Sequence, residues 1–195
     1  MHTRSNTQGF TLMEVIGVLA VIAILAAVAT PQIFQAIQDA RVSTLVQEAN
    51  DLKAAVARYY QDTGTWPRHA PTRPEGQFNQ LMQNVAAGGG TIPGWNGPYL
   101  EKELTNPIAP GGYVDVLATN SASYACDLNG DGAQDGTFMV YRVDGVDDAI
   151  AEKVSNSMDK DGGTTTGTGD WKAAGRVKRF AGNHPTILVF CLARI

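Results

Sequence analysis

Gly9-Phe10-Thr11-Leu12-Met13-Glu14 stands directly before Val15-Ile16-Gly17-Val18-Leu19-Ala20-Val21-Ile22-Ala23-Ile24-Leu25-Ala26-Ala27-Val28-Ala29, in which every residue is apolar, Gly or Ala. Residues 10–29 suffice for a helix of about 30 Å, the thickness of a bilayer core. Glu14 is the one carboxylate inside this segment. An ionisable group at that depth costs roughly 2.5–3.5 kcal/mol on insertion scales, so a chain that keeps one there has a use for it. A partner is available if the chain is cut after Gly9, because the cut creates an α-amino group on Phe10.

Two plainer readings compete with this one. Arg4 and His2 with an apolar core and Ala27-Val28-Ala29 fit a secretory signal peptide, and the same run fits a single-pass anchor. Glu14 argues against both, since it interrupts the run without helping insertion. The helical pattern also continues past Ala29, where a cleaved signal would be followed by unrelated mature sequence.

Beyond Pro31 the pattern turns amphipathic. Phe34, Ile37, Leu45, Leu52, Val56 and Tyr59 recur at helical spacing, with Val42, Val46 and Ala49 on the same side. Gln38, Asp39, Thr44, Gln47, Asp51, Lys53 and Arg58 take the remainder. Pro31 removes one backbone bond and is expected to loosen or kink the turn before it. The helix is expected to stop at Asp62-Thr63-Gly64, with Trp66-Pro67 preventing its resumption. A helix of about 50 residues greatly exceeds the globular mean of about 11–12. It lacks strict heptads, so the apolar stripe of its second half is expected to lie on a sheet of its own chain. Its first half has no such cover, and outside a membrane only copies of itself can bury it.

The junction resembles the processing site of type IV prepilins and type II secretion pseudopilins, in which a short polar leader is cut after glycine and the new N-terminus is methylated. The resemblance rests on Gly9, Phe10, Thr11, Leu12, Glu14 and Pro31 at fixed offsets. It implies a leader over 1–9, a membrane and filament-core helix over 10–30, an amphipathic half over 31–62 and a head over 63–195. It assigns processing to Gly9 and Phe10, and subunit registry to Glu14, which pairs with the N-terminal amine of a neighbour. The implied fold is α+β, a long N-terminal helix packed on a small antiparallel sheet. The implied partners are a prepilin peptidase, the membrane platform and ATPase of an assembly machine, minor pseudopilins, the lipid bilayer and further copies in a helical filament. The implied location is the cytoplasmic membrane, with the head in the periplasm or outside.

Asp62-Thr63-Gly64-Thr65-Trp66-Pro67 and Gly97-Pro98-Tyr99-Leu100 resemble the head of the major pseudopilin, whereas Asn106-Pro107-Ile108-Ala109-Pro110 departs from it. Strands are expected over 113–117, 123–126, 137–143, 176–180 and 186–192, and short helices over 78–85 and 146–158. Asp127, Asn129 and Asp131 alternate ahead of Gly132, with Asp135 following, as in the first half of a calcium loop. Phe138 stands where that loop needs its bidentate acid, so a ligand from elsewhere, such as the Asp159-Lys160-Asp161-Gly162 turn, would complete the shell. A Gly-Asp surface turn is the alternative. The resemblance implies a calcium site in this part of the head.

Cys126 and Cys191 are the only cysteines. In an oxidising compartment they are expected to pair, closing a loop that stabilises by about 4 kcal/mol in the chain-entropy model. The alternative for Cys191, inside Ile187-Leu188-Val189-Phe190, is a buried apolar thiol. A net charge of −4 gives little support to nucleic-acid binding. His2, His69 and His184 are scattered, and the 21 glycines cluster in turns and not in a phosphate loop. No active-site pattern stands out, so an enzyme has the weakest case, and the resemblance implies a structural subunit of a type II secretion pseudopilus or type IV pilus-like filament. A minor, tip-located pilin whose head binds a ligand or cargo is the second reading.

Overall fold

The computed structural model describes residues 9–68, 78–86, 88–109, 112, 114–119, 126–128, 135–159, 175–180 and 187–195. The elements are α1 (Leu12–Thr63), α2 (Phe78–Met82), β1 (Val114–Thr119), β2 (Phe138–Asp144), α3 (Asp148–Met158), β3 (Val177–Phe180) and β4 (Ile187–Arg194). The chain divides into two compact units, Met1–Ala40 and Arg41–Ile195.

In the first unit, α1 is helical without interruption from Leu12 and through Pro31. Ala26 O, next to the carbonyl crowded by the proline ring, accepts the Thr30 hydroxyl at 2.6 Å. Its apolar side chains are uncovered, from Leu12 at 80% exposed through Leu19 at 59% to Phe34 at 63%.

In the second unit, α1 turns one face to a core. Val42, Leu45, Ala49, Leu52, Ala55, Val56 and Tyr59 are buried there, each three or four residues from the next. The helix ends where Gly64 takes φ 67°, and its N–H closes on Tyr60 O at 2.9 Å. The amphipathic stripe was expected to begin at Phe34 and Ile37, but both are exposed and burial starts only at Val42. The period is right; the surface that would cover those two residues is not supplied by the first unit.

The sheet has four strands in the order β1-β2-β4-β3, every neighbouring pair antiparallel. Met139, Tyr141 and Val143 of β2 and Leu188, Phe190 and Leu192 of β4 join the buried stripe of α1 in one core. Phe138, Val140 and Val189 form a smaller cluster with Cys126. A register shift between Met139 and Val140 leaves Leu192 as the extra residue on β4, so that Leu192 and Ala193 both pack on the larger core. This is an α+β arrangement, a helix layered on an antiparallel sheet.

Several expected boundaries move. The helix expected over 78–85 ends at Met82, and that over 146–158 begins at Asp148. The second shift has a local cause: Asp147 is the N-cap, its carboxylate accepting the Ile150 N–H at 2.9 Å. Of the strand expected over 123–126, residues 123–125 lie outside the described residues. Cys126 belongs to no strand, while Asp127 makes an isolated bridge to Gly175.

Candidate assembly site

Thr11-Leu12-Met13-Glu14 spells a capping box, and the structure builds one. Glu14 Oε2 accepts the Thr11 N–H at 2.9 Å and the Thr11 hydroxyl at 2.9 Å. Thr11 Oγ1 accepts the Glu14 N–H in return at 3.3 Å. The carboxylate that the sequence reading matched only to an amine made by cleavage thus has a partner in its own first turn. The T-x-x-E spacing was the legible signal for it. Phe10, 88% exposed, stands immediately before this turn. A Cβ on Gly9 would meet nothing within 4 Å, so the surrounding structure makes no steric demand for glycine there.

The stretch that follows has a best-window mean hydropathy of 2.7 with none of it buried. By length and composition α1 is the one helix among the described residues able to cross a membrane.

In the second unit, the Gly97-Pro98-Tyr99-Leu100 loop is fastened to the end of α1. The Tyr99 hydroxyl donates to Asp62 Oδ2 at 2.8 Å and accepts the Asn96 N–H at 2.9 Å. Tyr99 meets Tyr59 and Trp95 edge to face, each with ring centroids 5.6 Å apart. The Trp95 indole N–H donates to Gln80 O at 2.8 Å, and Tyr99 and Leu100 N–H groups both reach Leu81 O. Pro98 follows a cis peptide bond.

Cys126 and Cys191 are joined by a disulfide with Cα atoms 6.1 Å apart, an ordinary span for the bond. Of the four residues expected to bind calcium, Asp127 and Asp135 are described, and Asn129 and Asp131 lie outside the described residues. Asp135 closes the base of its loop: its N–H donates to Cys126 O at 3.0 Å, and its Oδ2 accepts the Leu128 N–H at 2.6 Å. Of the second acidic turn only Asp159 is among the described residues, and it meets the backbone just after Gly175. The Gly175 N–H donates to Asp127 O at 2.7 Å, while Asp159 accepts from Arg176 N–H and Val177 N–H at 3.0 and 3.1 Å. The two acidic segments therefore converge on residues 175–177. No group of three or more His, Cys, Asp or Glu side chains suited to a metal occurs among the described residues.

Residues 4–30 match the family described as "Prokaryotic N-terminal methylation motif". The chain is 42% identical over 89 residues to "Type IV major pilin protein PilE1" of Neisseria gonorrhoeae, covering 44% of this chain and 42% of that one. It is 42% identical over 108 residues to "Fimbrial protein EcpC" of Eikenella corrodens, covering 55% and 60%. A "Fimbrial protein" of Neisseria meningitidis serogroup B is 43% identical over 60 residues, covering 31% and 35%. The matched stretch thus spans from about a third to three fifths of the length of these relatives. No solved structure matches the chain. Motif, relatives and the helix-on-sheet architecture agree in supporting the type IV pilin superfamily for this chain.

Proposed function

We propose that this chain is the repeating shaft subunit of a filament, held in a bilayer through residues 10–30 until it is polymerised through the same residues. The role is structural and not enzymatic. The observation that carries the reading is Glu14, a lone carboxylate at the head of an apolar helix whose side chains nothing in the first unit covers. Apolar surface of that extent is stable in lipid or against like helices, and hydrocarbon and filament core are interchangeable covers for it.

A prepilin peptidase cuts after Gly9 and the new Phe10 amine is methylated. The methylation-motif match over residues 4–30, which contains Gly9 and Phe10, supports the cut. The Thr11–Glu14 capping box holds the carboxylate in the stored subunit, and the amine of a neighbour takes it over in the polymer. The subunit sits in the cytoplasmic membrane with its head outside, and a membrane platform and ATPase extract it. The printed names of the relatives, major pilin and fimbrial protein, favour a pilus over a secretion pseudopilus.

The test is the mass of the mature subunit. A chain beginning at methylated Phe10 is expected. One beginning at Thr30 would mark a secreted protein, and an uncut chain would mark a simple anchor.

We propose further that the 127–135 loop takes calcium in the head. The support is the ligand spacing and the convergence of the Asp127 and Asp159 segments on Gly175. Ligand binding to the folded state alone raises stability by about 2.7 kcal/mol at a hundredfold excess over Kd. The melting temperature in millimolar calcium is therefore expected to exceed that in chelator by several degrees. Superimposable melts would leave a plain Gly-Asp turn.

A further inference from the structure

A groove of about 620 Å³ runs between α1 and the 99–104 segment in the second unit. Buried Ala55 of α1 with Leu100 and Leu104 makes an apolar floor, exposed Ala54 stands at its edge, and charged side chains complete the lining. Glu48 and Asp51 stand one turn apart on the helix side and Glu101 joins them across the groove, against Lys102 and Arg58. Glu48 is half-buried in the groove wall, and Glu48 Oε2 lies beneath the groove surface with no hydrogen-bond partner among the described residues. Behind Glu48 on β2, the Tyr141 hydroxyl is likewise buried without a partner among them. A buried acceptor left unmatched is costly, and carboxylates are matched best by charged donors. Burial accordingly pushes Glu48 above the usual carboxylate range; Lys102 opposes that shift and Asp51 adds to it.

We propose that this groove is an intersubunit socket that receives an arginine or lysine side chain from a second copy of this chain. The apolar floor suits the methylene stem, and three carboxylates suit the cationic head. A guanidinium carries donors enough for Glu48 and Asp51 together. This chain offers such groups: Arg41, Lys53, Arg176 and Arg194 are exposed. The inference rests on the filament reading, which brings identical heads together at high effective concentration and through unlike patches. A contact of this kind sets register and orientation between heads, while the apolar helices supply the bulk of the association.

The test uses the full chain assembled in cells, with a benzophenone amino acid in place of Ala54, an exposed residue of the groove. Irradiated filaments are expected to yield a covalent dimer mapping to an Arg- or Lys-bearing peptide of a second copy. Glu48→Gln, which keeps shape and removes charge, is expected to lower that yield about tenfold, as expected of one partner lost from a desolvated charge pair. Filaments that form normally but give only monomer would overturn the socket. So would a cross-link to a different protein, or a dimer yield indifferent to Glu48→Gln and Asp51→Asn alike. A chain that forms no filaments when unsubstituted would overturn the filament reading itself, and the socket with it.

Discussion

The two stretches of α1 share one helix and an apolar composition, yet they meet different surroundings. From Leu12 to Ile37 the large apolar side chains are exposed on every side; from Val42 to Tyr59 one face is fully buried and the other polar. Along the second stretch the helix is a folding element, tied to its sheet by Leu45, Leu52 and Val56. Along the first its apolar side chains are uncovered, and the proposed function makes it an assembly element. Polar residues mark the difference. Gln47, Asp51 and Arg58 break the apolar surface of the second stretch, whereas Glu14 is the only charge from Phe10 to Gln38.

The sharpest way to break this comparison is to truncate one leucine in each stretch. Leu52→Ala empties a fully buried site and is expected to cost about 2–5 kcal/mol of head stability. Leu19→Ala, at an exposed site, is expected to leave the melt of the detergent-solubilised chain unchanged. Equal losses from both would mean that the first stretch is also part of the folded core.

A smaller effect is expected at Gly175, which takes φ 99° where a Cβ would lie 2.6 Å from Asp159 Oδ2. Gly175→Ala should cost about 1–3 kcal/mol, because a strained backbone and a displaced carboxylate add together. An unchanged melt would show that the clasp between α3 and β3 carries no stability.

The smallest effect concerns Glu48. Its folded-state pKa lies above its unfolded one, so the folded head holds a proton that the unfolded chain gives up sooner. The associated stability is present in acid and lost as pH rises through and above the ordinary glutamate range. Glu48→Gln is expected to flatten that part of the pH–melting curve and to raise the melt modestly at neutral pH. A lower neutral melt would mean that the carboxylate is already matched within the subunit.

Much of this architecture is legible in the sequence because its signals are local. The apolar run, the Gly64 stop, and the runs of β-branched and aromatic residues that form β1, β2 and β4 all sit in consecutive residues. The Thr11–Glu14 box is equally local, a T-x-x-E spacing at the start of an apolar run. What stayed hidden depends on distant residues. Phe34 and Ile37 keep the helical period, yet burial along the helix starts only at Val42, and periodicity does not tell where it starts. The groove over Glu48 exists because Tyr99 and its aromatic neighbours fix a distant loop against α1. Asp159 looked like a calcium ligand in a Gly-Asp turn, and its role in holding the backbone of Arg176 and Val177 required the fold.

The central claim is that the exposed first stretch of α1 is an assembly surface registered by Glu14. The yield of sheared filaments from Glu14→Ala, set against the amount of mature subunit in the membrane, tests it most directly. The account predicts a subunit that is cleaved and inserted at normal levels while filament yield falls at least about tenfold, the loss expected when a buried charge pair is broken. Normal filament yield from that variant would contradict it.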